Sequence, residues 1–274
     1  MTLERFEQRF GALRAEGRTA LVIYLTIGDP SVEDSIACAL AAVRAGADIL
    51  EIGVPFSDPT ADGPVIAAAA YRAIHNGGSF RSSLRAVEAI RRETQIPIIL
   101  FTYYNPLVAF GDEHAVDEAL RVGADGFLVV DLPPEEGAVL RARAKRDKLA
   151  IVPLVAPTTG LDREPALLDG ASGFIYYVSV TGITGTGAAP LAEAGERAAS
   201  LRQRAKLPVV IGFGIRTPAD AERAAASGAD GVVVGTEIVR TIAAGATTEA
   251  RVAGVEALVG SLRAGLDAQK VRRG

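Results

Sequence analysis

Four times this chain leaves a helical pattern through a glycine and enters a short apolar run. The segments are Ala45–Gly53 (A-G-A-D-I-L-E-I-G), Val122–Asp131 (V-G-A-D-G-F-L-V-V-D), Gly170–Val178 (G-A-S-G-F-I-Y-Y-V) and Ser227–Gly235 (S-G-A-D-G-V-V-V-G). In each, the glycine supplies the left-handed residue that ends a helix, and a buried strand follows. Between them lie the apolar runs Ala20–Leu25, Ile98–Phe101, Ala150–Val155 and Val209–Ile211. Two of these follow X-Pro steps, Ile96-Pro97 and Leu207-Pro208, which favour extended backbone. Alternating the two sets gives eight strands. Helical patterns separate them at Ser31–Ala45, Phe80–Glu93, Ala115–Val122, Glu135–Arg146, Asp162–Asp169, Pro190–Lys206 and Pro218–Ser227, and Ala250–Ala268 closes the chain. Eight strand–helix units in 274 residues predict an α/β fold, a (β/α)8 TIM barrel built as a two-unit module repeated four times. An open doubly wound sheet is the alternative, weakened by the strand count and by the lack of an early G-x-G-x-x-G. No linker or composition shift divides residues 1–274, so a single domain with a short N-terminal helix is expected.

Composition excludes several function classes. The net charge of -4 and scattered basic residues leave no nucleic-acid footprint. The single cysteine, Cys38, allows no intrachain disulfide and no Cys-rich metal site, and it fits a reducing cytoplasmic home. The N-terminus does not read as a signal peptide, and no uninterrupted apolar stretch approaches the length of a membrane span.

Residues Asp48–Pro64, D-I-L-E-I-G-V-P-F-S-D-P-T-A-D-G-P, carry the strongest chemical signal. With period-two alternation over Asp48–Val54, Leu50, Ile52 and Val54 face one way and Ile49, Glu51 and Gly53 the other. Both faces are apolar apart from Glu51, so the strand is buried on both sides around one acid. Such a carboxylate is costly unless it is paired or protonated. Its structural alternative is a carboxylate tied to a Lys, Arg or backbone partner within the barrel.

In this fold, catalytic groups lie at the C-terminal ends of the strands and on the loops that follow. The unusual residues cluster there: Glu51 and Asp62, Tyr103 and Asn105, Asp131, Tyr176 and Tyr177, the segment Ser179–Ala189, then Gly212-Phe213-Gly214 and Gly235-Thr236. Plainer roles compete for several of them. Asp62 could cap a helix entering at Gly63-Pro64, and Asp58-Pro59 could be turn chemistry. Asp131 could cap a helix from Glu135, and Tyr176 could be core. His75 and His114 sit away from strand ends, so acid–base work falls to carboxylates or tyrosine. No His/Cys/acid grouping has metal-ligand spacing. The glycine-rich ends of the seventh and eighth strands suit phosphate, which bare N–H groups at helix N-termini bind. Tight turns alone would also explain them.

Leu50–Pro64 resembles the signature of the tryptophan synthase alpha chain family, indole-3-glycerol-phosphate lyases, and the likeness extends over nearly the whole chain. Tyr24–Pro30, Tyr103–Pro106, Val178–Gly185, Gly212–Ile215 and Val234–Thr236 are similar to further family segments. The resemblance implies retro-aldol cleavage of indole-3-glycerol phosphate to indole and glyceraldehyde 3-phosphate. It implies Glu51 as the acid that protonates the indole ring carbon and then helps deprotonate the side-chain hydroxyl, with a pKa raised by burial. Asp62 would accept the indole N–H and stabilise the positive ring as it forms. Tyr24, Phe101, Tyr103 and Leu128 match positions that line the indole pocket, Tyr176 resembles a pocket tyrosine near Glu51, and Phe213 joins the substrate-binding set. Gly185, Gly214, Gly235 and Thr236 match phosphate-binding positions. Thr184 and Asp58 match residues that meet when two loops close.

The resemblance further implies an alpha2-beta2 complex with a tryptophan synthase beta chain, which carries pyridoxal phosphate. No cofactor is expected on this chain. Asp58, Asn105 and Pro133 would face the partner. Departures from the family pattern are Thr236 where serine is usual, Thr60 where leucine is common, the plain Ala67–Ala70 stretch, and Gly185–Pro190. Three rival readings remain: a stand-alone lyase, another phosphate-binding barrel isomerase or epimerase, and a catalytically idle subunit that activates a partner.

Overall fold

The computed structural model describes residues 2–178, 189–212 and 214–273. Its sheet contains nine parallel strand segments in the order β5-β4-β3-β2-β1-β9-β8-β7-β6. They are β1 (Ala20–Thr26), β2 (Ile49–Gly53), β3 (Ile98–Thr102), β4 (Gly126–Val129), β5 (Ala150–Ile151), β6 (Leu154–Val155), β7 (Ile175–Val178), β8 (Val209–Gly212) and β9 (Gly231–Val234). The two ends of that order, β5 and β6, are consecutive in the chain and separated only by Val152-Pro153. Proline has no N–H to give a ladder, which is why Ala150–Val155 does not form one uninterrupted strand. Yet the Val152 N–H donates to the Phe127 carbonyl at 2.9 Å, and the Pro153 carbonyl accepts from the Tyr176 N–H at 3.0 Å. The segment bonds to both neighbours, so eight staves close into a barrel.

Two apolar clusters show which way each side chain points. Leu21, Ile23, Leu50, Ile52, Ile98, Leu100, Ile175 and Ile211 pack outward against the helices. Ala20, Val22, Tyr24, Ile49, Ile99, Leu128, Val152, Phe174 and Val210 fill the lumen. Strand alternation puts successive residues in different clusters, as period two requires.

The helices are α1 (Thr2–Ala15), α2 (Val32–Arg44), α3 (Pro64–His75), α4 (Phe80–Glu93), α5 (Tyr104–Phe110), α6 (Asp112–Val122), α7 (Ala138–Asp147), α8 (Glu164–Leu168), α9 (Ala189–Ala205), α10 (Pro218–Ala226), α11 (Thr236–Ala244) and α12 (Thr248–Arg273). Their starts are chemically marked. Ser31 caps α2, and reciprocal capping boxes open α4 (Ser79 with Ser82) and α10 (Thr217 with Asp220). Helix α7 begins at Ala138 rather than Glu135, because the Glu136 and Gly137 N–H groups turn back onto the Pro133 carbonyl. Helix α5, with no counterpart in the sequence pattern, starts directly after Tyr103. No helix among the described residues is long and apolar enough to cross a membrane.

Helix α1 closes the N-terminal end of the barrel. Phe6 and Phe10 meet Phe174 edge-on, each with centroids 6.1 Å apart. The plain-looking G-A-D turns at this end have a defined job. Asp48, Asp125 and Asp230 accept hydrogen bonds from the N–H groups of Leu21, Ile98 and Val209, at 2.9, 2.9 and 2.8 Å. Where the third repeat has serine, Ser172 Oγ accepts from Ile151 at 3.0 Å. Each repeat thus caps the strand of the preceding stave. Arginines complete the charge balance: Arg263 on Asp48, Arg5 and Arg91 on Asp125, and Arg202 on Asp230. These contacts stabilise the barrel at the end away from the chemistry.

Candidate active site

Glu51 projects into the lumen, since its neighbours Leu50 and Ile52 lie in the outer cluster. In register it sits beside Tyr24 of β1 and Ile99 of β3. It is fully buried, and neither carboxylate oxygen has a hydrogen-bond partner among the described residues. The alternative of a tie to a Lys, Arg or backbone partner is therefore not realised among the described residues. Burial alone pushes its pKa up to about 8, so the acid holds its proton at neutrality.

Asp62 stands in the loop between β2 and α3. It does not cap α3: Gly63 is the N-cap, with no side-chain capping bond, and Pro64 occupies the first turn. Instead Asp62 Oδ2 accepts from the Tyr103 hydroxyl at 3.1 Å. Desolvation raises its pKa and the Tyr103 hydrogen bond works against that rise. Tyr103 is buried at the end of β3, its ring tilted against Phe56 with centroids 5.2 Å apart.

Three tyrosines and two acids share one chamber. The charges of Asp62 and Glu51 both push the Tyr24 phenol up, after the larger effect of burial. Burial likewise raises the Tyr176 pKa most, followed by the charges of Glu51 and Asp62. All three phenols stay neutral. Tyr24 packs edge-on against Phe101, with centroids 5.2 Å apart, and its hydroxyl lies 3.3 Å from Thr26 Oγ1. Leu128 pairs in register with Phe101 and is fully buried.

Glycines make room for these rings. A Cβ on Gly53 would overlap the Tyr24 hydroxyl, one on Gly212 would stand 2.8 Å from the Tyr176 hydroxyl, and one on Gly235 would meet Tyr24 Cβ at 3.2 Å. Gly235 is also the N-cap of α11 and Thr236 its first residue, so the free N–H groups of that helix open beside the chamber. Gly214, at φ +60, adopts a left-handed conformation after β8. The strand ends carry bare backbone where an anion could be held.

The structure thus brings together Glu51, Asp62, Tyr24, Phe101, Tyr103, Leu128 and Tyr176, with Gly235 and Thr236 at their edge. Thr184, Gly185 and Phe213 lie outside the described residues. Asp131 does not cap α7; its Oδ1 accepts from the Tyr104 N–H at 2.7 Å and so caps α5. His75 Nδ1 lies 2.8 Å from the Tyr71 carbonyl, and His114 stacks on Phe110, both away from the chamber. Two contributors escaped the sequence reading: Phe56, and the Tyr103 hydroxyl as the partner of Asp62. An aromatic residue inside the P-F-S-D-P loop was the available hint for the first. Among the described residues, no three His, Cys, Asp or Glu side chains lie close enough to hold a metal ion.

Residues 10–267 match the family model described as tryptophan synthase alpha chain. The alpha subunit of tryptophan synthase from Legionella pneumophila str. Paris superposes with a TM-score of 0.87 at 33% identity, covering 96% of this chain and 98% of that one. A protein of Aquifex aeolicus VF5 gives 0.85 at 37% identity over 96% and 98% of the two chains. Tryptophan synthase of Mycobacterium tuberculosis gives 0.85 at 35% identity, again over 96% and 98%.

Proposed function

Since the chain belongs to the tryptophan synthase alpha chain family, whose members are lyases that cleave indole-3-glycerol phosphate, we propose that Glu51 and Asp62 carry that reaction here. Glu51, protonated at neutral pH, gives its proton to the ring carbon that bears the glycerol phosphate side chain. Asp62 accepts the indole N–H through Oδ1 and stabilises the positive indolenine that results. The carboxylate left on Glu51 then takes the proton of the neighbouring side-chain hydroxyl. As that oxygen becomes a carbonyl, the carbon–carbon bond breaks and its electron pair returns to the ring. Indole and glyceraldehyde 3-phosphate are the products, and Glu51 ends protonated as it began.

The observation that carries this assignment is the fully buried carboxyl of Glu51, which has no hydrogen-bond partner among the described residues. An acid held neutral near pH 7 is matched to proton delivery. Phe101, Leu128, Tyr24 and Tyr176 supply apolar walls for an indole, Gly214, Gly235 and Thr236, with Gly185, hold the phosphate end, and Phe213 is a further substrate contact. Thr236 carries a hydroxyl, so the serine usual there is not missed. Thr184 would meet the loop of Asp58 on closure.

A beta chain is the proposed partner, in an alpha2-beta2 complex, with pyridoxal phosphate on that chain and none on this one. Asp58, Asn105 and Pro133 are exposed and available to it. A cytoplasmic location fits this role. Indole release from indole-3-glycerol phosphate, followed with and without a beta chain, tests the reading. Glu51→Gln and Asp62→Asn should each lose at least about a hundredfold in kcat. An isomerase or epimerase would not need Asp62, so full activity of Asp62→Asn would overturn the assignment. Full activity of the isolated chain would point to a stand-alone lyase.

A further inference from the structure

Tyr103 is bound to the loop before α3 in two ways at once. Its hydroxyl donates to Asp62 Oδ2 at 3.1 Å and accepts from the Ala61 N–H at 3.0 Å. Its ring rests against Phe56, near the start of the same loop. Among the described residues, the other hydrogen bonds of residues 55–63 stay within the loop or run to α3: Ser57 to Asp58, Thr60 to Asp58, Asp62 to Pro59, and Ala67 to Gly63. One phenol oxygen from the end of β3 therefore fastens the far side of the loop to the barrel. Asp62 Oδ1 takes no hydrogen bond from a described residue.

We propose that Tyr103 is a positioning residue that acts through Asp62: its hydroxyl holds Oδ2 and the Ala61 N–H, and so presents Oδ1 to the substrate N–H. This rests on the role proposed for Asp62. The phenol is suited to the task. It is buried, and desolvation together with the charge of Asp62 keeps its own proton in place. A donor that cannot ionise offers Asp62 a hydrogen bond at every working pH, and such a bond favours the charged carboxylate. The titratable groups facing Asp62 do not duplicate this effect. Tyr24 from β1 and Tyr176 from β7 both feel its charge, Glu51 from β2 acts on the same two phenols, and Asp131 after β4 acts on Tyr103. Tyr103 is the one side chain that hydrogen-bonds Asp62 among the described residues.

Tyr103→Phe removes the oxygen and keeps the ring on Phe56. The acid limb of kcat/KM for indole release should move up by about one pH unit, the size expected for a lost bond to a charged group. The basic limb, set by Glu51, should stay in place. NMR titration of the Asp62 carboxyl should show the same upward move without turnover. In an Asp62→Asn background, Tyr103→Phe should change the pH profile no further. 3-Fluorotyrosine at position 103, a stronger donor, should move the acid limb down, and it serves if the phenylalanine variant folds poorly. An unmoved acid limb and an unmoved Asp62 titration in Tyr103→Phe would overturn the positioning role while Asp62→Asn remained impaired. A fully active Asp62→Asn would instead overturn the reading beneath it.

Discussion

Glu51→Gln should make this protein more stable as it makes it inactive, and the gain should grow with pH. The wild-type acid has an ordinary pKa of 4.5 when the chain is unfolded and about 8 when it is folded. The difference, about 3.5 units at 1.36 kcal/mol each, corresponds to about 5 kcal/mol. The folded-state value is the higher one, so the folded protein binds the proton more tightly. Below about pH 4.5 both states are protonated and the burial of Glu51 carries no ionisation penalty. Above about pH 8 both are ionised and the whole penalty is present. Between these limits wild-type stability falls by about 1.4 kcal/mol per pH unit from this group alone. Glutamine has nearly the same shape and does not titrate. The stability difference between Glu51→Gln and wild type should therefore widen with pH, reaching about 3 kcal/mol near pH 7 and about 5 kcal/mol above pH 8, relative to its value in acid. Urea unfolding of both proteins at steps from about pH 4.5 to 8.5 measures it, because other titrating groups cancel in the difference. Parallel curves would refute the reasoning: they would mean that Glu51 ionises freely in the native protein and is no store of a proton.

The same burial sets the activity profile. If the protonated form of Glu51 does the work, kcat/KM for indole release should decline above about pH 8, and a rate that keeps rising through that region would contradict it. Gly212→Ala puts a methyl 2.8 Å from the Tyr176 hydroxyl; we expect KM to rise about tenfold, with a stability cost of about 1–3 kcal/mol, read by steady-state kinetics and thermal melting. Asp125→Ala removes the carboxylate that pairs with Arg5 and Arg91 and caps the Ile98 N–H, while Arg91 keeps its bonds to the Gly123, Thr94 and Ile96 carbonyls. It should cost about 3–5 kcal/mol in urea unfolding, yet leave kcat unchanged in the folded fraction because the site is at the other end of the barrel. Phe174→Ala should open a cavity against Phe6 and Phe10 and cost about 3–5 kcal/mol by the same measurement.

What the sequence determined by itself was local. Period-two alternation was enough to set Glu51 on the face opposite Leu50 and Ile52, because parity alone separates a strand's two faces; that its face is the lumen came from the closed barrel. The glycine exits were also legible, since a cap acts within one turn: Gly46, Gly123, Gly170 and Gly228 all adopt the left-handed φ that the repeat predicts. The four-module count followed, and with it the barrel. Tertiary structure decided what depends on distant partners. Spacing left Asp62 balanced between a helix cap and a substrate acceptor; its actual partner, Tyr103, is 41 residues away. Asp131 capped the wrong helix in prospect because Tyr104 lies 27 residues before it. The G-A-D turns looked plain because the strands they cap arrive from the preceding module. Whether Glu51 would be paired or orphaned was beyond any one segment, since it depends on what eight staves, drawn from the whole chain, leave facing it in the lumen.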